Sequence, residues 1–194
     1  MAEVTHSPAT HVTCSVDSTL LLIIDIQENL GGAMPTKVLN RVVSNTGLLS
    51  RSAELLDVPV ILTEQYPKGL GPTVDAVVDG LPSSTARFEK TAFSALGADG
   101  FVEALNDSGR NQIVIAGMES HVCVLQSALE LLNRGCQVYV VEDAVCSRRL
   151  ENYQNALDRL RQAGVAIVSA ESVIFEWLTN AKHEHFKAIS AMLR

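Results

Sequence analysis

The sequence predicts an α/β fold on a mostly parallel sheet, and three observations carry that prediction. From about residue 18 to the end, short apolar runs alternate with longer amphipathic stretches, the pattern of successive βα units. The first run, Leu20 to Asp25 (LLLIID), is continuous rather than alternating, as a strand covered by helices on both faces must be. Glycines stand where amphipathic stretches end, at Gly135 and Gly164, the place a helix C-terminus favours.

Each element follows in order. After the strand at Leu20 to Asp25, Thr36 to Leu56 reads as a helix with Val38, Val42, Leu49 and Leu56 among its apolar positions. Val58 to Glu64 (VPVILTE) is the second strand, with Pro59 tolerable only near its start. A Gly- and Pro-rich loop, Gln65 to Pro72, comes next. Within Ser83 to Ala98 the pattern is weakest, and Ala86 to Glu89 is read as a short strand that delivers Lys90 to a loop. Phe101 to Asn106 is helical. Ile113 to Gly117 is a strand, and Val122 to Arg134 a helix carrying Leu125, Ala128, Leu129 and Leu132 at helical spacing. Gln137 to Val141 makes another strand, Leu150 to Ala163 another helix, and Val165 to Val168 the last strand. Short helices are expected at Val173 to Leu178 and His183 to Leu193, where Phe175 and Trp177 pack the last helices or a surface between subunits.

Composition narrows what such a domain can do. The chain has 194 residues, 47% of them hydrophobic, enough for one sizeable core, so a single domain is expected over residues 18–194 after a flexible N-terminal tail, 1–17. A formal charge of -7, with 15 Lys and Arg residues forming no stripe, argues against nucleic acid as a partner. Cys14, Cys123, Cys136 and Cys146 lack CxxC spacing and the five histidines do not complete a zinc pattern, so no metal and no cofactor are expected. The glycines of Gly69 to Gly71 precede Pro72 and lack the third glycine of a dinucleotide loop, which makes them a turn. No apolar run approaches the roughly 20 residues that cross a bilayer, and the first 17 residues lack a leader's apolar stretch, so a cytoplasmic protein with no membrane partner is expected.

In open parallel sheets, ligands bind beyond the carboxyl ends of the strands. Asp25, Glu64, Lys90, the segment Met118 to Cys123, and Glu142 with Asp143 all fall there by position. Cys123 stands between a strand and a helix start, where amides and the helix dipole favour a thiolate, and it is the candidate nucleophile. Asp25 is the candidate base for its proton. Lys90, placed between them, would steady both anions and lower the thiol pKa. Backbone amides of the Gly117 to Cys123 turn could receive an oxyanion. The set suits attack on a carbonyl carbon.

The segments LLLIIDIQENL, RFEKTAFSAL and GMESHVCVLQSALELLNRGCQVYVVEDAVCSR resemble the isochorismatase-like cysteine hydrolase superfamily, closest to the branch of isochorismatase domain-containing proteins. The resemblance runs from about Leu20 over nearly the whole chain. It implies a three-layer, doubly wound fold with a six-stranded, mostly parallel sheet and helices on both faces, and a catalytic triad of Asp25, Lys90 and Cys123. It also implies a cis peptide at Met118-Glu119 and an oxyanion hole from the amides of Glu119 and Cys123. Nicotinamidases of that superfamily carry a metal-binding Asp-x-His loop after the second strand, whereas this chain reads TEQYPKGLGPTV, which removes support for metal and for nicotinamide. A retained thiol points to an amide, imide or ureido carbonyl rather than the vinyl ether of isochorismate. Self-association into a homo-oligomer is expected because the family often assembles.

The substrate is expected to be a small molecule, lined by Gln27 of the first motif, Glu64 and Tyr66 after the second strand, and His121 two residues before the nucleophile. Each has a plainer reading. Glu64 and Tyr66 are equally read as a polar loop, and the His121 ring could serve packing as readily as the thiol, which ranks it behind Asp25 as base. Cys14, Cys136 and Cys146 fit the role of small buried hydrophobes. Asp25 alone would be a strand cap and Lys90 alone a solvated charge; their joint appearance with Cys123 raises them. Two rival classes stand beside the hydrolase: a non-catalytic binding or scaffold member of the same fold, and a redox-sensing thiol protein.

Overall fold

A computed structural model of the chain describes residues 13–193, the span to which every structural statement below refers. In chain order the elements are β1 (Thr19–Ile24), α1 (Glu28–Gly32), α2 (Thr36–Leu55), β2 (Val60–Gln65), α3 (Pro67–Leu70), α4 (Asp75–Val78), β3 (Ala86–Lys90), α5 (Phe101–Asp107), β4 (Gln112–Met118), α6 (Leu125–Asn133), β5 (Gln137–Cys146), α7 (Leu150–Ala163), β6 (Ala166–Val168), α8 (Ala170–Leu178) and α9 (Phe186–Met192). The strands form one six-stranded parallel sheet in the order β3-β2-β1-β4-β5-β6. Strand order reverses between β1 and β4, so the crevice at their carboxyl ends is the switch point at which doubly wound sheets bind ligands.

Two apolar cores explain the unbroken run in β1, every residue of which is buried. Leu21 and Ile23 join Val42, Leu49 and Ala53 of α2 and Val173, Ile174 and Trp177 of α8 on one face. Leu20, Leu22 and Ile24 join Phe101 of α5, Ala128 and Leu131 of α6, and Leu157 and Leu160 of α7 on the other. Each of these side chains contributes about 1.5–3 kcal/mol by leaving water. The three-layer, doubly wound architecture is thus as the sequence and the resemblance predict.

Three expectations change. β5 runs on to Cys146 instead of stopping at Val141, because it advances five residues, Val140 to Val145, while β4 advances two, Ile115 to Gly117. Glu142 and Asp143 therefore sit within the strand's bulge and not on the rim: Asp143 accepts from the Ala170 amide at the start of α8, and Glu142 pairs with Arg161. The helix expected from Val122 begins with a wide π turn over Ser120–Val124, and α6 proper starts at Leu125. Of the expected tail, residues 1–12 lie outside the described residues, while residues 13–15 are fastened down. The Cys14 amide donates to Glu176 (2.7 Å), the Ser15 amide to Gln112 (2.7 Å), and the Gln112 side chain to the Thr13 carbonyl (3.2 Å).

Burial pushes the thiol of Cys146 up from its ordinary 9.0 to about 12 and raises that of Cys14 as well. The folded chain keeps these protons at a pH where the unfolded chain loses them, so the stability they contribute is present below pH 9 and is lost between pH 9 and about 12. Urea unfolding should show a midpoint falling from pH 8 to 10, and Cys146→Ala should flatten that fall; an unchanged slope in the variant would contradict the assignment.

Candidate active site

Three strand ends bring the candidate residues together. β1 delivers Asp25, whose φ of 53° is a left-handed conformation that Asp tolerates better than most residues. Its amide donates to the Thr63 carbonyl (3.0 Å), and its carbonyl accepts from the Gln27 amide (2.9 Å), which fixes the turn. β3 delivers Lys90 as its own last residue and not, as expected, from a loop; it shares the alternating phase of the partly buried Ala86 and Phe88 and is itself buried. β4 delivers Gly117, the cis peptide Met118-Glu119, and the wide turn holding Cys123. Gly117 cannot be replaced: its φ is 137°, and a Cβ would overlap the Ile24 carbonyl and come within 2.7 Å of the Ile24 amide nitrogen.

Lys90 Nζ lies 2.6 Å from Asp25 Oδ2, with both side chains fully buried. Its remaining protons go to Gln65 Oε1 (2.7 Å) and to the carbonyls of Phe93 (3.2 Å) and Ala92 (3.4 Å). Asp25 Oδ1 accepts from the Thr63 hydroxyl (2.8 Å), and the charges of Asp25 and Lys90 both act on the Cys123 thiol. One ammonium, one carboxylate and one thiol are therefore buried together, and each feels the charge of the others. Cys123 is only 5% exposed.

Electrostatics reverse one expectation. Burial pushes the Cys123 thiol up to about 12, the Asp25 charge adds to the rise, and Lys90 works against it. Burial also raises Asp25, opposed by Lys90 and by the hydrogen bonds from Lys90 and Thr63. A helix start and a nearby lysine suggest a lowered thiol pKa; desolvation outweighs both, because a single cation supports a single anion. The resting thiol is therefore neutral.

The remaining predicted residues are placed variously. The Glu119 carboxylate, nearly covered, accepts from the backbone amide and from Nε of Arg148, each at 3.0 Å. His121 bonds through Nδ1 to Ser147 Oγ (3.0 Å) and through Nε2 to the Asn152 amide (3.2 Å), so both ring nitrogens are engaged away from the thiol. The Gln27 amide is spent on the backbone of Gln65 and Gly71, clamping the loop after β2. Glu64 Oε1 holds the amide and hydroxyl of Thr73, at 2.7 and 2.6 Å. Tyr66 is half exposed and lines, with Lys68, Glu89, Lys90 and Asp99, a cleft of about 380 Å³. Sequence reading missed Thr63, Gln65 and Ser127. The Ser127 hydroxyl donates to the Cys123 carbonyl (2.7 Å) and accepts from the Ala95 amide (2.8 Å), tying the cysteine turn to the loop after Lys90. The one available signal was a polar Thr63 ending an apolar strand. Among the described residues no group of His, Cys, Asp and Glu is arranged to hold a metal ion.

The isochorismatase domain model matches residues 19–172. The chain belongs to the isochorismatase family. It is 39% identical over 182 residues to isochorismatase domain-containing protein 2 of Danio rerio, covering 92% of this chain and 88% of that protein. Among solved structures, the MAR1 ribonuclease of Caenorhabditis elegans superposes with a TM-score of 0.88 at 32% identity, covering 94% of this chain and 92% of that one. The YcaC gene product of Escherichia coli, an octameric hydrolase of unknown specificity, superposes at 0.83 with 27% identity, covering 94% and 89%. This member of the isochorismatase family has the hydrolase fold of those relatives, and none of its described helices is long and apolar enough to cross a membrane.

The raised thiol predicts the chemistry of Cys123 with a simple alkylating agent. Iodoacetamide modification followed by mass spectrometry should quicken about tenfold per pH unit from 7 to 10; a plateau below pH 8 would instead reveal a resting thiolate.

Proposed function

We propose that this isochorismatase-family protein is a cysteine hydrolase, working without a metal, that opens a small amide, imide or ureido C–N bond through a covalent thioester on Cys123. One observation carries the reading: the buried Lys90 ammonium is hydrogen-bonded to the Asp25 carboxylate, and both charges act on the buried Cys123 thiol. Converting thiol plus carboxylate into thiolate plus carboxylic acid leaves the net charge beside Lys90 unchanged. The proton shift is therefore inexpensive in a buried site where creating a second anion is not.

In the proposed reaction the sulfur attacks the carbonyl carbon as its proton passes to Asp25. The π pair becomes an oxyanion, for which the amides of Glu119 and Cys123 are the donors. The intermediate collapses, the C–N bond breaks, and Asp25 returns the proton to the leaving nitrogen. Water, deprotonated by Asp25, then attacks the thioester, releasing the acid and restoring the thiol. Thr63 and Gln65 orient the ion pair, and Tyr66 stands at the cleft beside it. Gln27 and His121 have their polar groups committed to the protein, Glu64 commits Oε1 to Thr73, and the three support the site's walls in this reading.

A recessed sulfur, 5% exposed, favours a small carbonyl compound over a polymer, and a charge of -7 disfavours a phosphate backbone, although a relative is named a ribonuclease. The neutral resting thiol also speaks against a redox sensor, since oxidation proceeds through the thiolate. The octameric relative supports assembly into a homo-oligomer, for which exposed Leu150 and Phe175 offer apolar surface.

A screen of small amides, imides and ureides is the test. Cys123→Ala should abolish turnover while retaining the fold, and Asp25→Asn should lower kcat/KM by about 10³-fold. Activity should survive EDTA. Hydroxylamine added during turnover should release the hydroxamate of the acyl half; full activity in either variant would refute the mechanism.

A further inference from the structure

The turn that carries the nucleophile is fastened to one neighbouring segment. Beyond its bulge, β5 stays paired with β4, Gly117 against Val145 and Met118 against Cys146, so Ser147 and Arg148 emerge directly beside Glu119. Two of the side chains between the cis peptide and Cys123 are then bound by that segment. Glu119 takes two hydrogen bonds from Arg148 into the same oxygen, and His121 is held between Ser147 and Asn152.

The charges in this clasp are unequal in their surroundings. The Glu119 side chain is 7% exposed and the Arg148 side chain 57%. Covalent geometry keeps the carboxylate within about 5 Å of its own residue's amide nitrogen. That amide is an oxyanion donor in the reaction proposed above. An uncompensated carboxylate there would oppose the negative charge that the amide must stabilise, and its burial leaves it weakly screened.

We propose that Arg148 is a positioning residue whose guanidinium cancels the buried Glu119 charge beside the oxyanion site, so that the Glu119 amide can receive negative charge. The inference rests on the carbonyl-addition reading of Cys123. The backbone amide of Arg148 keeps its own bond to Glu119 whatever the side chain, so Arg148→Met removes the counter-charge and leaves the turn tethered. Glu119→Gln keeps an acceptor oxygen for both donors and removes the charge.

The probe is butyraldehyde, neutral and without a carboxylate, so no direct pairing between Arg148 and the ligand contributes. The thiol adds across its C=O bond: a C–S bond forms, the π pair passes to oxygen at the oxyanion site, and the thiol proton passes to Asp25, which leaves the thiohemiacetal as its anion against the Glu119 amide. Formation is read as protection of Cys123 from iodoacetamide, by mass spectrometry of the full-length protein, with circular dichroism confirming the fold. We expect saturable protection in the wild type, an apparent Kd at least tenfold weaker in Arg148→Met, and return to within threefold in Glu119→Gln/Arg148→Met. Equal protection in wild type and Arg148→Met, or a loss that the double variant does not relieve, overturns the charge-cancelling role and leaves the carbonyl chemistry standing. No protection in the wild type overturns both.

Discussion

The buried contact between Lys90 and Asp25 governs the rest of the site. An ammonium and a carboxylate 2.6 Å apart, both without solvent exposure, lose their hydration and are worth little to stability for that reason. Their value lies in arithmetic: one fixed cation admits one anion, and the Cys123 thiol, on which both charges act, can exchange places with the carboxylate as the charged partner. Gln65, Phe93 and Ala92 take up the other Lys90 protons, so the cation has no slack with which to follow an incoming ligand. Thr63 does the same for the far oxygen of Asp25.

The parallel sheet is what makes such a contact affordable to assemble. β1 and β4 are adjacent at the switch point, and β3 lies two strands away, so Asp25 and the cysteine turn meet directly while Lys90 reaches across the end of β2. That reach passes over Thr63 and Gln65, the very residues of β2 that bind the pair. The relatives that share this fold include a hydrolase of unknown specificity and a protein named for ribonuclease activity, and a shared fold does not by itself dictate the molecule acted on.

Much of this was legible in the sequence. The unbroken LLLIID run required a sheet covered on both faces, and the strand-end rule gathered Asp25, Lys90 and Cys123 from three distant segments before any contact was known. Other features depend on partners that local pattern does not reveal. Glu142 and Asp143 look like the end of a strand because they are polar, yet they occupy a bulge where α7 and α8 supply their partners. Gln27 sits in a motif beside the site, but its amide is claimed by carbonyls 38 and 44 residues away. The charge state of Cys123 is another such feature, because a helix start is a local signal, whereas desolvation is set by everything packed around the sulfur.

The seam between β1 and β4 carries a broader implication. At Gly117 and Ile24 the two strands touch main chain to main chain, with no side chain interposed. Spacing between the acid's strand and the sulfur's strand is therefore a property of peptide geometry, indifferent to which aliphatic residues fill the layers above and below. A lineage built on this seam is free to exchange its interior and rework its loops for new ligands while the reacting atoms keep their distance, and the invariant it must guard is a missing methyl group.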